Sequence, residues 1–292
     1  MAARALSLIE NRDPIANALL KRLYSHTGRA RVIGITGSAG SGKSSLLDRM
    51  IVEFRRRKRN LGILTVDPTS PFSGGALLGD RLRMRGHFLD RGVFIRSFAT
   101  RNGQGSLPSS IFAAAQVLDA MGKDYILIET IGIGQNQVDI AQIVDIVVVV
   151  TTPAAGDEIQ ALKAGVLEIA DVLVMNKSDF PGAEQTFSHL AELFGATGLP
   201  LFKTSALNGE GIGPLVDELE KRTAELNVRA KRKEKSLEIF RAQMLALVRD
   251  RLLARLEAKL DKYEIEQWVQ RIADKESDPY TAAEVILEKS GL

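Results

Sequence analysis

The chain has 292 residues, 45% of them hydrophobic, with 39 lysines and arginines against 36 acidic residues and a formal net charge of +3. That length and composition allow one substantial α/β core with a smaller appendage and exclude a disordered chain, while so slight a charge gives no argument for nucleic-acid or membrane binding. With no cysteine there is neither a disulfide framework nor a thiolate nucleophile or ligand, and no apolar run approaches a membrane span, so a cytoplasmic protein is the expectation.

Ala5 to Tyr24 carries Leu6, Ile9, Ile15, Leu19, Leu20 and Leu23 at helical spacings, interrupted by Asn11, Asp13 and Pro14. Two short helices are therefore expected in an N-terminal segment, 1–28, before the sheet. Arg31 to Thr36 reads as a buried strand, and Gly37-Ser38-Ala39-Gly40-Ser41-Gly42-Lys43-Ser44 fits G-x-x-x-x-G-K-[ST], with a helix running from Lys43 through Ser45 to about Arg57. The glycines let backbone N–H groups and the helix N-terminus cradle a β-phosphate, Lys43 bridges the β- and γ-phosphates, and the Ser44 hydroxyl lies where Mg²⁺ is held. At the far end of that helix Arg55, Arg56, Arg57, Lys58 and Arg59 complement the helix dipole and read as a solvated face.

Leu61 to Val66 predicts a second strand stopping at Asp67-Pro68, followed by a loop with Gly74, Gly75, Gly79 and Asp80 at the strand's C-terminal end. Val93 to Ser97 predicts a third strand, Leu107 to Met121 a helix and Tyr125 to Glu129 a fourth strand. Glu129 with Gly132 three residues on has the order of a carboxylate near Mg²⁺ and a glycine whose N–H meets the γ-phosphate, although most GTPases carry Asp there. Ile133 stands where activatable GTPases place the water-orienting Gln, which leaves Gln135 as the nearest polar candidate.

Asp145 to Thr151 and Asp171 to Met175 are the fifth and sixth strands, and the sixth delivers Asn176-Lys177-Ser178-Asp179. A carboxylate in the plane of the base accepts both N1–H and the 2-amino group of guanine, donors that adenine lacks there, so Asp179 favours GTP over ATP. Leu201 to Thr204 is a seventh strand ending in Ser205-Ala206-Leu207, where the Ala206 N–H is assigned to guanine O6. Strands alternating with helices predict a doubly wound, mostly parallel α/β sheet with the ligand at the strands' C-terminal ends, over 29–224. Beyond a helix at Ile212 to Leu226, residues 225–292 form a helical extension with an apolar stripe through Leu237, Phe240, Met244, Leu247, Val248, Leu252, Leu256 and Leu260, which suggests a homodimer. Lys231, Arg232, Lys233 and Lys235 read as a solvated face of that helix, and Asp278-Pro279 as the cap of a last one.

With these motifs in place the chain resembles the MeaB/ArgK family of P-loop GTPases, which carries Glu in the third G motif and includes the methylmalonic aciduria type A protein. Glu129 matches that defining feature, as do the runs Val66-Asp67-Pro68-Thr69-Ser70, Gly74 to Arg81, Phe94-Ile95-Arg96-Ser97 and Glu129 to Gln135, while Gln137 stands where the family commonly has Glu. The resemblance implies a GTPase that acts as a chaperone, gating delivery of adenosylcobalamin to an adenosylcobalamin-dependent acyl-CoA mutase, of methylmalonyl-CoA or isobutyryl-CoA type, and protecting it. It implies Mg²⁺ held by Ser44, Asp67, Asp80 and Glu129, and a third switch loop over Thr152 to Gly165 in which Asp157, Gln160 and Lys163 relay the nucleotide state to the mutase. Rival readings are a phosphotransferase of the arginine/ornithine transport kinase label and a nucleotide-gated scaffold with little hydrolysis. A nickel-insertion GTPase is disfavoured by the absence of Cys and by three scattered histidines, His26, His87 and His189.

Overall fold

The computed structural model describes residues 2–11, 13–68, 84–100, 109–130, 140–153, 169–225, 229–259, 262–289 and 291, with the side chains of 67, 68, 100, 109, 229–236, 250, 257 and 262 outside that set. Two short helices, α1 (Ala2–Glu10) and α2 (Pro14–Leu23), come first, and the restart between them is made as the composition requires. Pro14 takes the first helical turn, where its missing N–H costs nothing, and the Asp13 carboxylate accepts the Ile15 N–H at 2.8 Å.

Seven parallel strands follow: β1 (Arg31–Gly37), β2 (Leu61–Pro68), β3 (Val93–Thr100), β4 (Tyr125–Glu129), β5 (Ile146–Thr151), β6 (Val172–Met175) and β7 (Leu201–Lys203). Their order is β3-β2-β4-β1-β5-β6-β7, so β1 lies between β4 and β5 where the winding reverses. Successive residues serve opposite layers: Ile126 and Ile128 face one core and Leu127 the other, and likewise Val147 and Val149 against Val148 and Val150. One layer packs α1, α4 (Ser109–Ala120) and α5 (Ala183–Phe194) against the sheet; the other packs α3 (Lys43–Arg56) and α6 (Ile212–Glu225). On α3 the stripe Leu46, Leu47, Met50, Ile51 and Phe54 is fully buried at spacings of three and four, which fixes the direction in which its N-terminus points.

Some boundaries differ from those expected. β2 continues through Asp67 and Pro68, paired with Ala99 and Thr100 of β3. Its pairing with β4 ends at Thr65↔Glu129, so a proline beyond that point interrupts no second ladder. Asp145 and Asp171 sit just before their strands, where their carboxylates accept the Val32 and Val147 N–H groups, each at 2.8 Å.

In the basic run after α3, Arg56, Lys58 and Arg59 are exposed as the composition suggests, whereas Arg55 and Arg57 are largely covered by ion pairs. Arg55 makes two bonds to Asp90 at 2.8 and 2.9 Å, Arg57 reaches Glu53, Asp217 and Glu220, and Arg59 reaches Glu220, leaving Arg56 as the arginine most open to water. The cause is α6, which lies beside α3 and carries Asp217 and Glu220. The hydrogen-bonded Arg56 guanidinium, helped by Arg57, holds the Glu53 carboxyl down at about 2 from 4.5. A carboxyl whose folded pKa is depressed contributes stability that is complete above pH 4.5 and is lost as the pH falls toward 2. Glu53→Gln is therefore expected to lower stability near neutrality by on the order of 1 kcal/mol, and to narrow that deficit toward pH 3. Thermal melts of both proteins at pH 6 and pH 3 check this; a deficit of equal size at both pH values would discard the assignment.

The chain divides into two compact units, 1–239 and 240–292; the boundary expected at residue 225 precedes that division. Helices α7 (Arg229–Lys259), α8 (Lys262–Ala273) and α9 (Pro279–Lys289) make up the remainder. Within the second unit Asp278 caps α9, accepting the Tyr280 and Thr281 N–H groups at 2.9 and 3.0 Å, and the Arg271 guanidinium lies 4.5 Å from the Trp268 ring centre. Met244, Val248 and Leu252 of the expected stripe are exposed on α7, and no described helix is long and apolar enough to cross a membrane.

Candidate functional site

Because every strand is parallel, the C-terminal ends of β1, β4, β6 and β7 open on one edge of the sheet, and each carries part of the site. Gly37 to Gly42 turns the chain from β1 into α3. A Cβ at Gly37 would lie 2.0 Å from the Val150 carbonyl oxygen, and Gly42, at φ +84°, would drive a Cβ to 2.5 Å from the Asn176 amide, so neither position admits a side chain. The Lys43 ammonium folds back into this loop and donates to the Gly37 and Ser38 carbonyls at 3.0 and 2.8 Å. It is only 7% exposed, and the Ser41 hydroxyl beside it is buried without a hydrogen-bond partner among the described residues. A buried cation at a helix N-terminus, with an unsatisfied hydroxyl in the same loop, fits a phosphate.

The Ser44 hydroxyl donates to Glu129 Oε1 at 2.6 Å, joining the α3 N-terminus to the end of β4. Its proton being used there, the Ser44 oxygen keeps its lone pairs for a cation, and the carboxylate adds a second hard oxygen donor. Asp67 lies at the end of β2, while its side chain, and Asp80 altogether, fall outside the described residues. Two hard oxygen donors at the helix N-terminus are the donor set that Mg²⁺ takes, an ion that completes its shell with phosphate and water. Glu129→Ala, and equally Asp67→Ala or Asp80→Ala, is expected to lower Mg²⁺-dependent hydrolysis about 10²-fold or more, and nucleotide binding without metal far less. Mg²⁺ titrations unchanged from the parent would remove that residue from the site.

The base end is built around Asn176, 1% exposed, at the end of β6. Its Nδ2 donates to the Ser41 carbonyl at 3.0 Å, and its Oδ1 accepts the Thr204 hydroxyl at 3.2 Å and the Ala206 N–H at 3.1 Å. One buried amide thus ties the phosphate loop to the loop after β7. The Ala206 N–H, assigned from sequence to guanine O6, is already engaged by Asn176, whose buried oxygen requires donors. Lys177 sits at φ +61°, an uncommon conformation for a side-chain-bearing residue, with its ammonium 5.4 Å from the Phe180 ring centre. The Ser205 hydroxyl donates to Asp179 Oδ1 at 2.5 Å and so fixes the rotation of that carboxylate.

These groups line a cleft of 440 Å³ bounded by Gly42, Ser45, Asp48, Arg49, Asn176, Lys177, Asp179, Phe180, Ala206 and Leu207. Asp48, Arg49 and Phe180 were not singled out from the sequence. The signal for the first two was available, since they follow Ser45 at i+3 and i+4 on one face of α3. Asp48 also meets His87 at 2.9 Å, holding the 3-10 turn Arg85–His87 against α3. Gly132, Gln135, Asp157, Gln160 and Lys163 lie outside the described residues.

The 37–42 loop at one end of a cleft and the Asp179 carboxylate at the other, both hung from a seven-stranded parallel sheet, match the architecture of the P-loop GTPases. A solved structure titled as a LAO/AO transport system kinase shares this fold, with a TM-score of 0.70 and 20% identity over 100% of this chain and 93% of that one. Residues 2–261 match the family described as "Methylmalonyl Co-A mutase-associated GTPase MeaB". The chain belongs to that family, and by class it is a GTP hydrolase. A putative GTPase of Pyrococcus abyssi is 40% identical over 98% of this chain and 91% of the relative. A Caenorhabditis elegans protein named "Methylmalonic aciduria type A homolog, mitochondrial" is 35% identical over 61% of this chain and 48% of its own length.

Proposed function

We propose that this GTPase works as a G-protein chaperone for an adenosylcobalamin-dependent acyl-CoA mutase, gating cofactor delivery and protecting the enzyme. Support for the partner comes from the family's description and from the name of the Caenorhabditis elegans relative. The observation that carries the nucleotide chemistry is the Asn176 amide, which joins the Ser41 carbonyl to the Asp179–Ser205–Ala206 cluster, so that base and phosphate are sensed by one connected structure.

In this reading Asp179 accepts N1–H and the 2-amino group of guanine, and the Lys177 stem and the Leu207 side chain, 74% exposed, cover the two faces of the base. The loop N–H groups of 37–42 and the Lys43 ammonium hold the β- and γ-phosphates and stabilise the charge that moves during transfer to water. Mg²⁺ held by Ser44 and Glu129, with Asp67 and Asp80, would supply charge neutralisation on those phosphates. Gln135 is the residue to orient the attacking water, and Asp157, Gln160 and Lys163 are those that meet the mutase. The exposed apolar residues of α7, together with the rest of 225–292, are assigned to a homodimer contact in a cytoplasmic protein. GTP turnover with and without an acyl-CoA mutase of this cofactor class tests the proposal; turnover indifferent to every such mutase would reject it.

A further inference from the structure

Arg49 belongs to α3, the helix that opens at the phosphate loop, yet its guanidinium spans to the base loop. Its Nε donates to the Ala206 carbonyl at 2.8 Å and one terminal nitrogen to the Leu207 carbonyl at 2.9 Å. A guanidinium is a rigid planar fork, so two bonds to consecutive carbonyls fix more than position. A trans peptide is planar, so the Ala206 C=O and the Leu207 N–H share one plane and point in opposite directions. Clamping the two oxygens therefore sets the orientation of the peptide units on both sides of Leu207. The rest of that loop is held by base-site side chains: the Ala206 N–H by Asn176, the Asn208 N–H by the Ser205 hydroxyl at 3.3 Å, and that hydroxyl in turn by Asp179.

We infer that Arg49 is a positioning residue for base selection: it aims the Leu207 backbone N–H at the 6-oxo group of the purine and keeps it in register with the phosphate-binding helix. The inference rests on the base-reading role given above to Asp179 and to the loop after β7. It divides the labour chemically. Asp179 reads the 2-amino group, whereas the Arg49-clamped loop reads the oxygen at position 6, so the two can be separated by changing one purine substituent at a time.

The test is a set of dissociation constants for GDP, 6-thio-GDP and IDP with the parent, Arg49→Ala and Arg49→Lys. A thiocarbonyl at position 6 is a weaker acceptor but leaves N1–H and the 2-amino group in place, whereas IDP keeps the 6-oxo group and lacks the 2-amino group. The parent is expected to prefer GDP over 6-thio-GDP by about tenfold, the size of one good hydrogen bond. Arg49→Ala should bring that ratio close to one while leaving the GDP-to-IDP ratio as in the parent. Arg49→Lys, which keeps the charge but not the fork, should fall between them. Because the Arg49 side chain lies at the surface, both variants are expected to melt close to the parent. A proportional loss of affinity for all three nucleotides, with both ratios unchanged, would make Arg49 a merely structural contact and overturn the inference. A parent that fails to distinguish GDP from 6-thio-GDP would instead overturn the reading of the 205–207 loop on which it stands.

Discussion

Asp179→Asn is expected to weaken GTP binding about 10²-fold or more and to shift preference toward xanthosine triphosphate. The Asp179 carboxylate is an acceptor on both oxygens, and one of them is already fixed by the Ser205 hydroxyl at 2.5 Å. An asparagine that keeps that bond through its oxygen must present its NH₂ to the base. Against guanine this sets donor against donor and removes charge-assisted bonds of about 1.5–3 kcal/mol each. Against xanthine, whose position 2 is a carbonyl, the same NH₂ finds an acceptor. Competition of GTP, XTP and ATP for parent and variant checks it; a variant that binds GTP as the parent does would place base recognition elsewhere.

What could be read from sequence follows from how locally each feature is encoded. The 37–44 loop, Asn176-Lys177-Ser178-Asp179 and the strands that carry them were legible because each is a contiguous motif whose chemistry belongs to neighbouring residues. The unbroken valine run Val147 to Val150 announced a parallel strand buried on both faces, and all four valines are buried. The spacing of Arg49 placed it at the cleft, but its clamp on the loop after β7 was not legible, because that lies in carbonyls 157 and 158 residues away. The ion pairs of Arg57 and Arg59 were not legible for the same reason: their partners Asp217 and Glu220 join them only once α6 packs beside α3. The Ala206 N–H illustrates a subtler limit, since a motif assigns a donor to a ligand without showing that a buried amide oxygen also claims it.

The second large effect concerns rate. Ile133 occupies the place of the water-orienting glutamine and cannot hydrogen-bond through its side chain, and spacing identifies no arginine finger in the chain. Such an incomplete constellation leaves several kcal/mol of transition-state stabilisation absent, on the order of a 10³-fold deficit in kcat. The isolated protein is therefore expected to hydrolyse GTP slowly, and a mutase packing against Thr152 to Gly165 to restore part of the deficit. Lys163→Ala or Gln160→Ala should blunt that acceleration while GTP affinity stays near that of the parent, because neither residue is among those assigned to base or phosphate. The most direct measurement is steady-state GTP turnover of the parent and of these two variants, titrated with an adenosylcobalamin-dependent acyl-CoA mutase. A saturable rise in kcat for the parent, reduced in both variants, is the expected result; rapid turnover by the isolated chain, or a rise that both substitutions leave intact, would contradict it.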